Sequence, residues 1–98
     1  MIDKRVASLR EAIAGIKSGA AVMIGGFGSS GIPFELIEAL RQHGADDLTV
    51  ISNNAGSHEI GIATLLRDRL VRKVVCTYPR SQGSVWFEKL YEEGAIEL

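Results

Sequence analysis

The chain has 98 residues, a net charge of −1, and 46% hydrophobic and 23% charged residues. That is room for one domain of ordinary globular composition. The near-neutral balance, without a long run of like charge, excludes nucleic-acid binding by bulk electrostatics, and the lone cysteine, Cys76, excludes an intrachain disulfide.

Met1 to Arg10 carries charges and lacks the apolar core of a signal peptide. No apolar run approaches the length of a membrane span, so the expected location is the cytoplasm. Val6, Leu9, Ile13 and Ile16 recur at spacings of three and four, which predicts a helix ended by Ser18-Gly19. "AAVMIGGF" is a continuous apolar run bounded by glycine and predicts a buried strand. Pro33 suits the first turn of the next helix, with Glu35 near its positive end. Phe34, Ile37 and Leu40 form that helix's apolar face, and Gly44 closes it.

"LTVIS" predicts a second strand, followed by a polar loop "NNAGS". Glu59 to Leu70 predicts another helix, buried along Ile62, Leu65 and Leu66. "KVVCTYP" reads as the third strand. Trp86, Phe87, Leu90 and Tyr91 stripe a helix that Gly94 ends, and "AIEL" starts a fourth strand. Strand and helix thus alternate three times. The expected fold class is α/β, an open parallel sheet with crossover helices on its faces. With the last strand only beginning, residues 1–98 read as the N-terminal part of a longer single domain. There is no internal repeat or linker.

Gly26-Phe27-Gly28-Ser29-Ser30-Gly31 matches G-x-G-x-x-G, after a predicted strand and before a predicted helix. Such glycines let backbone N–H groups approach an anion, and a helix N-terminus adds positive potential. The plainer reading is a tight turn with close strand–helix packing. A dinucleotide site also requires an acidic residue at the end of the second strand, to bind ribose hydroxyls. Here that strand ends in Ser52-Asn53-Asn54, while Asp46 and Asp47 lie at its leading end. The missing acid counts against NAD. An NAD-binding module and an inactive structural fragment remain the alternatives.

"SGAAVMIGGFGSSGIP", Ser18 to Pro33, resembles the signature of the A-type subunit of family I coenzyme A transferases. A polar-Gly pair leads through apolar residues to G-G-F, then to a glycine and a proline. Ser18 departs from the family's usual Asp or Asn. "LTVISNNAG", Leu48 to Gly56, is a second matching block. The resemblance spans essentially the whole chain. Within the family, "EIGIATLL" and "VRKVVCTYPR" look most like the branch acting on 3-oxoadipate.

The resemblance implies transfer of coenzyme A from succinyl-CoA to a 3-oxo acid such as 3-oxoadipate. It places the nucleophilic glutamate on a separate, B-type subunit, so the expected assembly is a hetero-oligomer and no catalytic residue is expected on this chain. Coenzyme A is then a substrate, and no cofactor or metal is needed. The resemblance further implies a later segment of the A-type subunit, carrying a P-Q-G motif, that helps build the site. It puts Gly25, Gly26, Phe27, Gly28, Ser29, Ser30 and Gly31 beside the thioester and its oxyanion, and Asn53 and Asn54 beside the acid. Fixed N–H donors suit a tetrahedral oxyanion. The competing role for the asparagines is turn formation, since Asn readily makes Asx turns.

Other residues carry plainer expectations. Cys76 reads as a small core residue and His43 as a helix-end residue favoured by the dipole. His58 could approach the site, while Glu59 reads as a helix-start residue. The Trp86 cluster reads as core or interface. Arg67, Arg69, Arg72 and Lys73 could meet nucleotide phosphates, but a solvated helix end explains them.

Overall fold

Ser8 opens the first helix, its Oγ accepting the Glu11 N–H at 3.1 Å while Glu11 Oε2 accepts from the Ala7 N–H at 3.3 Å. This reciprocal cap satisfies donors that a helix start otherwise leaves unpaired. The computed structural model describes residues 5–28, 30–80 and 83–98. Helix α1 spans only Leu9–Ile13. The predicted stripe from Val6 to Ile16 is cut short at both ends: Val6 is exposed, and Gly15 is a poor helix residue.

Strand β1 (Ala21–Met23) leads to helix α2 (Phe34–His43), which buries Ile37 and Leu40 and ends at Gly44 in the left-handed region. Pro33 stands at the N-cap position, just before the first turn rather than inside it, and Phe34 is exposed. Strand β2 (Leu48–Asn54) runs two residues past the expected "LTVIS" and takes both asparagines into the sheet. Helix α3 (Ile62–Arg67) buries Ile62, Ala63, Leu65 and Leu66 but has half the expected length. Its N-cap is Gly61, so Glu59 precedes the helix and does not start it. Strand β3 (Val71–Tyr78) and helix α4 (Val85–Glu92) follow, and Gly94 ends α4 with a positive φ.

The sheet is parallel in the order β1-β2-β3. Glu97 bridges in parallel to Lys73, so "AIEL" begins pairing on the free side of β3. The rows Val22–Val50–Val74 and Met23–Ile51–Val75 alternate across the sheet. Only the first row joins the core, which also holds Leu48, Ile37, Leu40, Leu65, Leu66, Phe87 and Leu90. Helices from α2 to α4 therefore cover one face, not both as expected. Consecutive parallel strands joined by crossovers of one hand place every crossover on the same side. The other face shows Met23 at 78% and Val75 at 46% exposure. For the same reason β1, predicted buried, is an edge strand that turns only Val22 inward. The Cα extents, 44 × 26 × 20 Å, are those of a two-layer slab.

On the outer side Arg41 ties α2 to the end of α3. Its guanidinium donates to Glu38 and, at 3.1 Å, to Asp68. Hydrogen bonds from Arg41 and then Gln42 hold the Glu38 carboxyl down at about 2. Arg67 and then Arg41 lower Asp68. His43 Nε2 donates to the Ile16 carbonyl at 2.9 Å, anchoring the segment between α1 and β1. Among the described residues, no helix is long and apolar enough to cross a membrane.

Candidate functional site

The carboxyl ends of β1 and β2 lie side by side. Beyond β1, the Ile24 N–H still donates to the Ile51 carbonyl at 2.9 Å, which extends the ladder by one residue. The chain then leaves the sheet through Gly25 and Gly26. Phe27 and Ser30 exchange two backbone hydrogen bonds, each 2.9 Å, so the loop closes as a miniature hairpin with Gly28 at its tip. Ser29 lies outside the described residues. Phe27 projects its ring outward, 70% exposed.

Gly26 is where the glycine pattern is structurally required. Its φ is +122°, a region L side chains rarely enter. A Cβ there would collide with Ile32 Cδ1 and sit 3.1 Å from the Ser30 carbonyl oxygen. Even alanine, which adds only that Cβ, would meet this conflict. Helix α2 begins only at Phe34, past Ile32-Pro33. The glycines therefore fold a self-packed turn and do not open the helix, as a dinucleotide turn would.

Two asparagines grip this turn from β2. Asn53 Oδ1 accepts from the Gly28 N–H at 3.4 Å. Asn54 Nδ2 donates to the Gly28 carbonyl at 3.3 Å and to Asn53 Oδ1 at 3.2 Å. Asn54 Oδ1 accepts from the Gly56 N–H at 2.9 Å, which is an Asx turn. The turn-forming role and the loop-gripping role thus coincide in Asn54, which is 3% exposed. Gly56 sits where β2 meets α3: at φ +92°, a Cβ would lie 2.5 Å from Ala63 N. Sequence reading took this glycine only as part of a matching block. The close approach leaves no signal in the letters beyond a glycine after a strand.

The geometry narrows the set of available donors. The N–H groups of Phe27 and Gly28 are already engaged, to Ser30 and Asn53. Those of Gly25 and Gly26 have no partner among the described residues, nor does Asn53 Nδ2. Among the described residues these three donors at the end of two parallel strands are unpaired, and such groups suit an oxygen bearing negative charge.

The remaining candidates fall elsewhere. His58 is exposed, with φ +55°. Its N–H donates to the Gly83 carbonyl at 2.7 Å and its ring lies against Gly83, so it fastens the segment before α4. Cys76 is half-buried on the core side, and desolvation raises its thiol pKa. Arg67, Arg69, Arg72 and Lys73 lie at the amino end of β3 or just before it, opposite the glycine edge. There they pair with Asp68, Glu93, Asp47 and Glu97, so the phosphate role does not fit them. Trp86 packs partly buried against the core; its Nε1 has no partner among the described residues.

Residues 6–98 match the family model of coenzyme A transferase. The chain belongs to the coenzyme A transferase family. It is 53% identical over all 98 residues to the A-type subunit of 3-oxoadipate CoA-transferase from Pseudomonas putida, covering 42% of that protein. Over 88 residues, 90% of the chain, it is 47% identical to the mitochondrial succinyl-CoA:3-ketoacid coenzyme A transferase 2A of Rattus norvegicus, covering 16% of it. The chain thus spans less than half the length of these curated relatives. A solved variant of the decarboxylase AibA/AibB superposes with a TM-score of 0.77 at 24% identity, over 95% of this chain and 37% of that one. That likeness shows the fold alone. The family membership agrees with the resemblance carried by the G-G-F and S-N-N-A-G blocks.

Proposed function

We propose that this chain is the amino-terminal portion of the A-type subunit of a cytoplasmic CoA-transferase, moving coenzyme A from succinyl-CoA to a 3-oxo acid such as 3-oxoadipate. The observation that carries the reading is the glycine turn clasped by Asn53 and Asn54 at the sheet edge, in a chain of this family. The similarity to the corresponding subunit of a 3-oxoadipate CoA-transferase supports the acceptor class.

In this reading the B-type subunit lends a glutamate carboxylate, which attacks the thioester carbonyl. The C–S bond breaks, and CoA leaves as thiolate while the glutamate and the succinyl group form a mixed anhydride. The thiolate then attacks the glutamyl carbonyl and releases succinate, leaving a glutamyl-CoA thioester. The acceptor carboxylate repeats the exchange in reverse and regenerates the free glutamate. Each step passes through a tetrahedral oxyanion, which fixed donors stabilise. Gly25 N–H, Gly26 N–H and Asn53 Nδ2 are the donors this chain supplies. Coenzyme A is a substrate, and no further cofactor or metal takes part. The partner is the B-type subunit, in a hetero-oligomer.

The test is co-expression of the full-length subunit that carries this segment with its B-type subunit. The purified pair is assayed for transfer from succinyl-CoA to 3-oxoadipate, and the glutamyl-CoA thioester is trapped with borohydride. Transfer by the pair and none by the 98-residue chain alone is expected. A pair that assembles yet transfers to no 3-oxo acid overturns the reading.

A further inference from the structure

We propose that Asn54 is a positioning residue: it aims the side-chain amide of Asn53 at the ligand and holds the glycine turn, without touching the ligand itself. The inference rests on the CoA-site reading for the ligand's identity, but its geometric half stands on the hydrogen-bond network alone.

The network settles which way each amide faces. A backbone N–H can only donate, so the Asn53 atom facing the Gly28 N–H is its oxygen. The same oxygen takes a second bond from Asn54 Nδ2, which fills both of its lone pairs. The Asn53 NH₂ group must then point away from the clasp. It has no partner among the described residues. Asn54 is the opposite case. Both hydrogens of its Nδ2 are used, one on the Gly28 carbonyl and one on Asn53. Its oxygen takes the Gly56 N–H. Being buried and committed on both ends, it keeps no hydrogen for a substrate. Neighbouring asparagines thus divide the work: Asn53 presents an amide donor and Asn54 fixes where that donor points.

Three substitutions separate these roles. Asn53→Asp keeps an oxygen for Gly28 and Asn54 but removes the presented NH₂. Asn54→Ala removes all three Asn54 side-chain hydrogen bonds and leaves only the Asn53–Gly28 contact. Asn54→Ser retains a hydroxyl able to hold the Gly56 N–H, as serine does in analogous turns, but has no donor for the Gly28 carbonyl and Asn53 together. It serves if the alanine variant fails to fold. In the labelled chain, NMR reads the Asn53 side-chain amide pair and the exchange rate of the Gly28 N–H. Asn54→Ser should shift the Asn53 pair and speed Gly28 exchange about tenfold, the scale of one lost hydrogen bond. Asn53→Asp should leave Gly28 exchange unchanged. In the assembled transferase, Asn53→Asp should lower kcat by about 10²- to 10³-fold, as loss of one oxyanion donor does. Asn54→Ser should lower kcat with KM little changed, and the double variant should be no slower than Asn53→Asp alone.

Unchanged Gly28 exchange and an unmoved Asn53 pair in Asn54→Ser overturn the positioning role, whatever the enzyme does. Additive kinetic losses in the double variant overturn it too, because Asn54 would then act independently of Asn53. NMR changes as expected, with full turnover by Asn53→Asp, overturn the CoA-site reading instead.

Discussion

Replacing Gly56 by alanine probes the joint between β2 and α3, and the structure separates two contributions to the cost. The first is backbone strain: φ is +92°, and an L residue in left-handed backbone costs about 1–2 kcal/mol. The second is steric. The new Cβ would lie 2.5 Å from Ala63 N and 2.9 Å from its Cα, both backbone atoms that cannot rotate away. Overpacking of this kind adds about 1–3 kcal/mol. The sum, about 2–5 kcal/mol, is a large share of the roughly 5–15 kcal/mol that holds a domain together. Gly44→Ala is the matched control, with φ +83° and open space where its Cβ would sit. It should carry the strain alone. Thermal unfolding followed by circular dichroism reads the difference, at about 4–8 °C per kcal/mol for a domain of this size. Gly56→Ala should melt well below Gly44→Ala, or fail to fold. Equal losses for the two variants would refute the argument, because the contact with Ala63 would then carry no weight.

Acid should weaken the Arg41 cluster selectively. Glu38 and Asp68 titrate lower in the folded chain than in the unfolded one. Carboxylates depressed in this way stabilise above their unfolded values, and that contribution disappears as pH falls through the folded ones. The urea midpoint of the native chain should therefore exceed that of Arg41→Ala at pH near neutrality, with the gap closing between about pH 5 and pH 2; a gap independent of pH contradicts the pairing. Cys76, raised by burial, should react with iodoacetamide much more slowly in the folded chain than in urea at the same pH; equal rates would show the thiol to be open.

The alternation of strands and helices is legible in the sequence because each strand is a short apolar run and each helix has its own spacing. Ile37, Leu40, Ile62, Leu65, Leu66, Phe87 and Leu90 fall in the core as their periodicity requires, whereas Phe34 and Tyr91, at the ends of the same stripes, are exposed. The number of covered faces is not legible. It depends on spatial strand order, and "AAVMIGGF" has the same letters whether Met23 meets a helix or water. Helix lengths mislead for local reasons: the Ser8 cap and Gly15 bound α1, and Gly61 at one end and Arg69 with positive φ at the other bound α3, although the apolar spacing continues past them. At the site, the G-G-F and S-N-N-A-G blocks mark a place, and Asn53 and Asn54 do meet the glycine turn. Which donors stay unpaired there follows only from geometry. The Phe27–Ser30 hairpin consumes N–H groups that a linear reading leaves available.

Among the described residues no helix covers the row of Met23, Ile51 and Val75 and no strand pairs with the outer side of β1, which bears on how this chain would behave at high concentration. Two copies can stack their bare faces, and the unpaired edge offers a template for further strands. Little long-range repulsion opposes this, since the net charge is −1 and the isoelectric point is about 6.1. Colloidal stability is thus expected to be poorest in slightly acidic, salty buffers. A more alkaline, dilute preparation gains negative charge and spaces the copies apart without altering a single contact inside the fold.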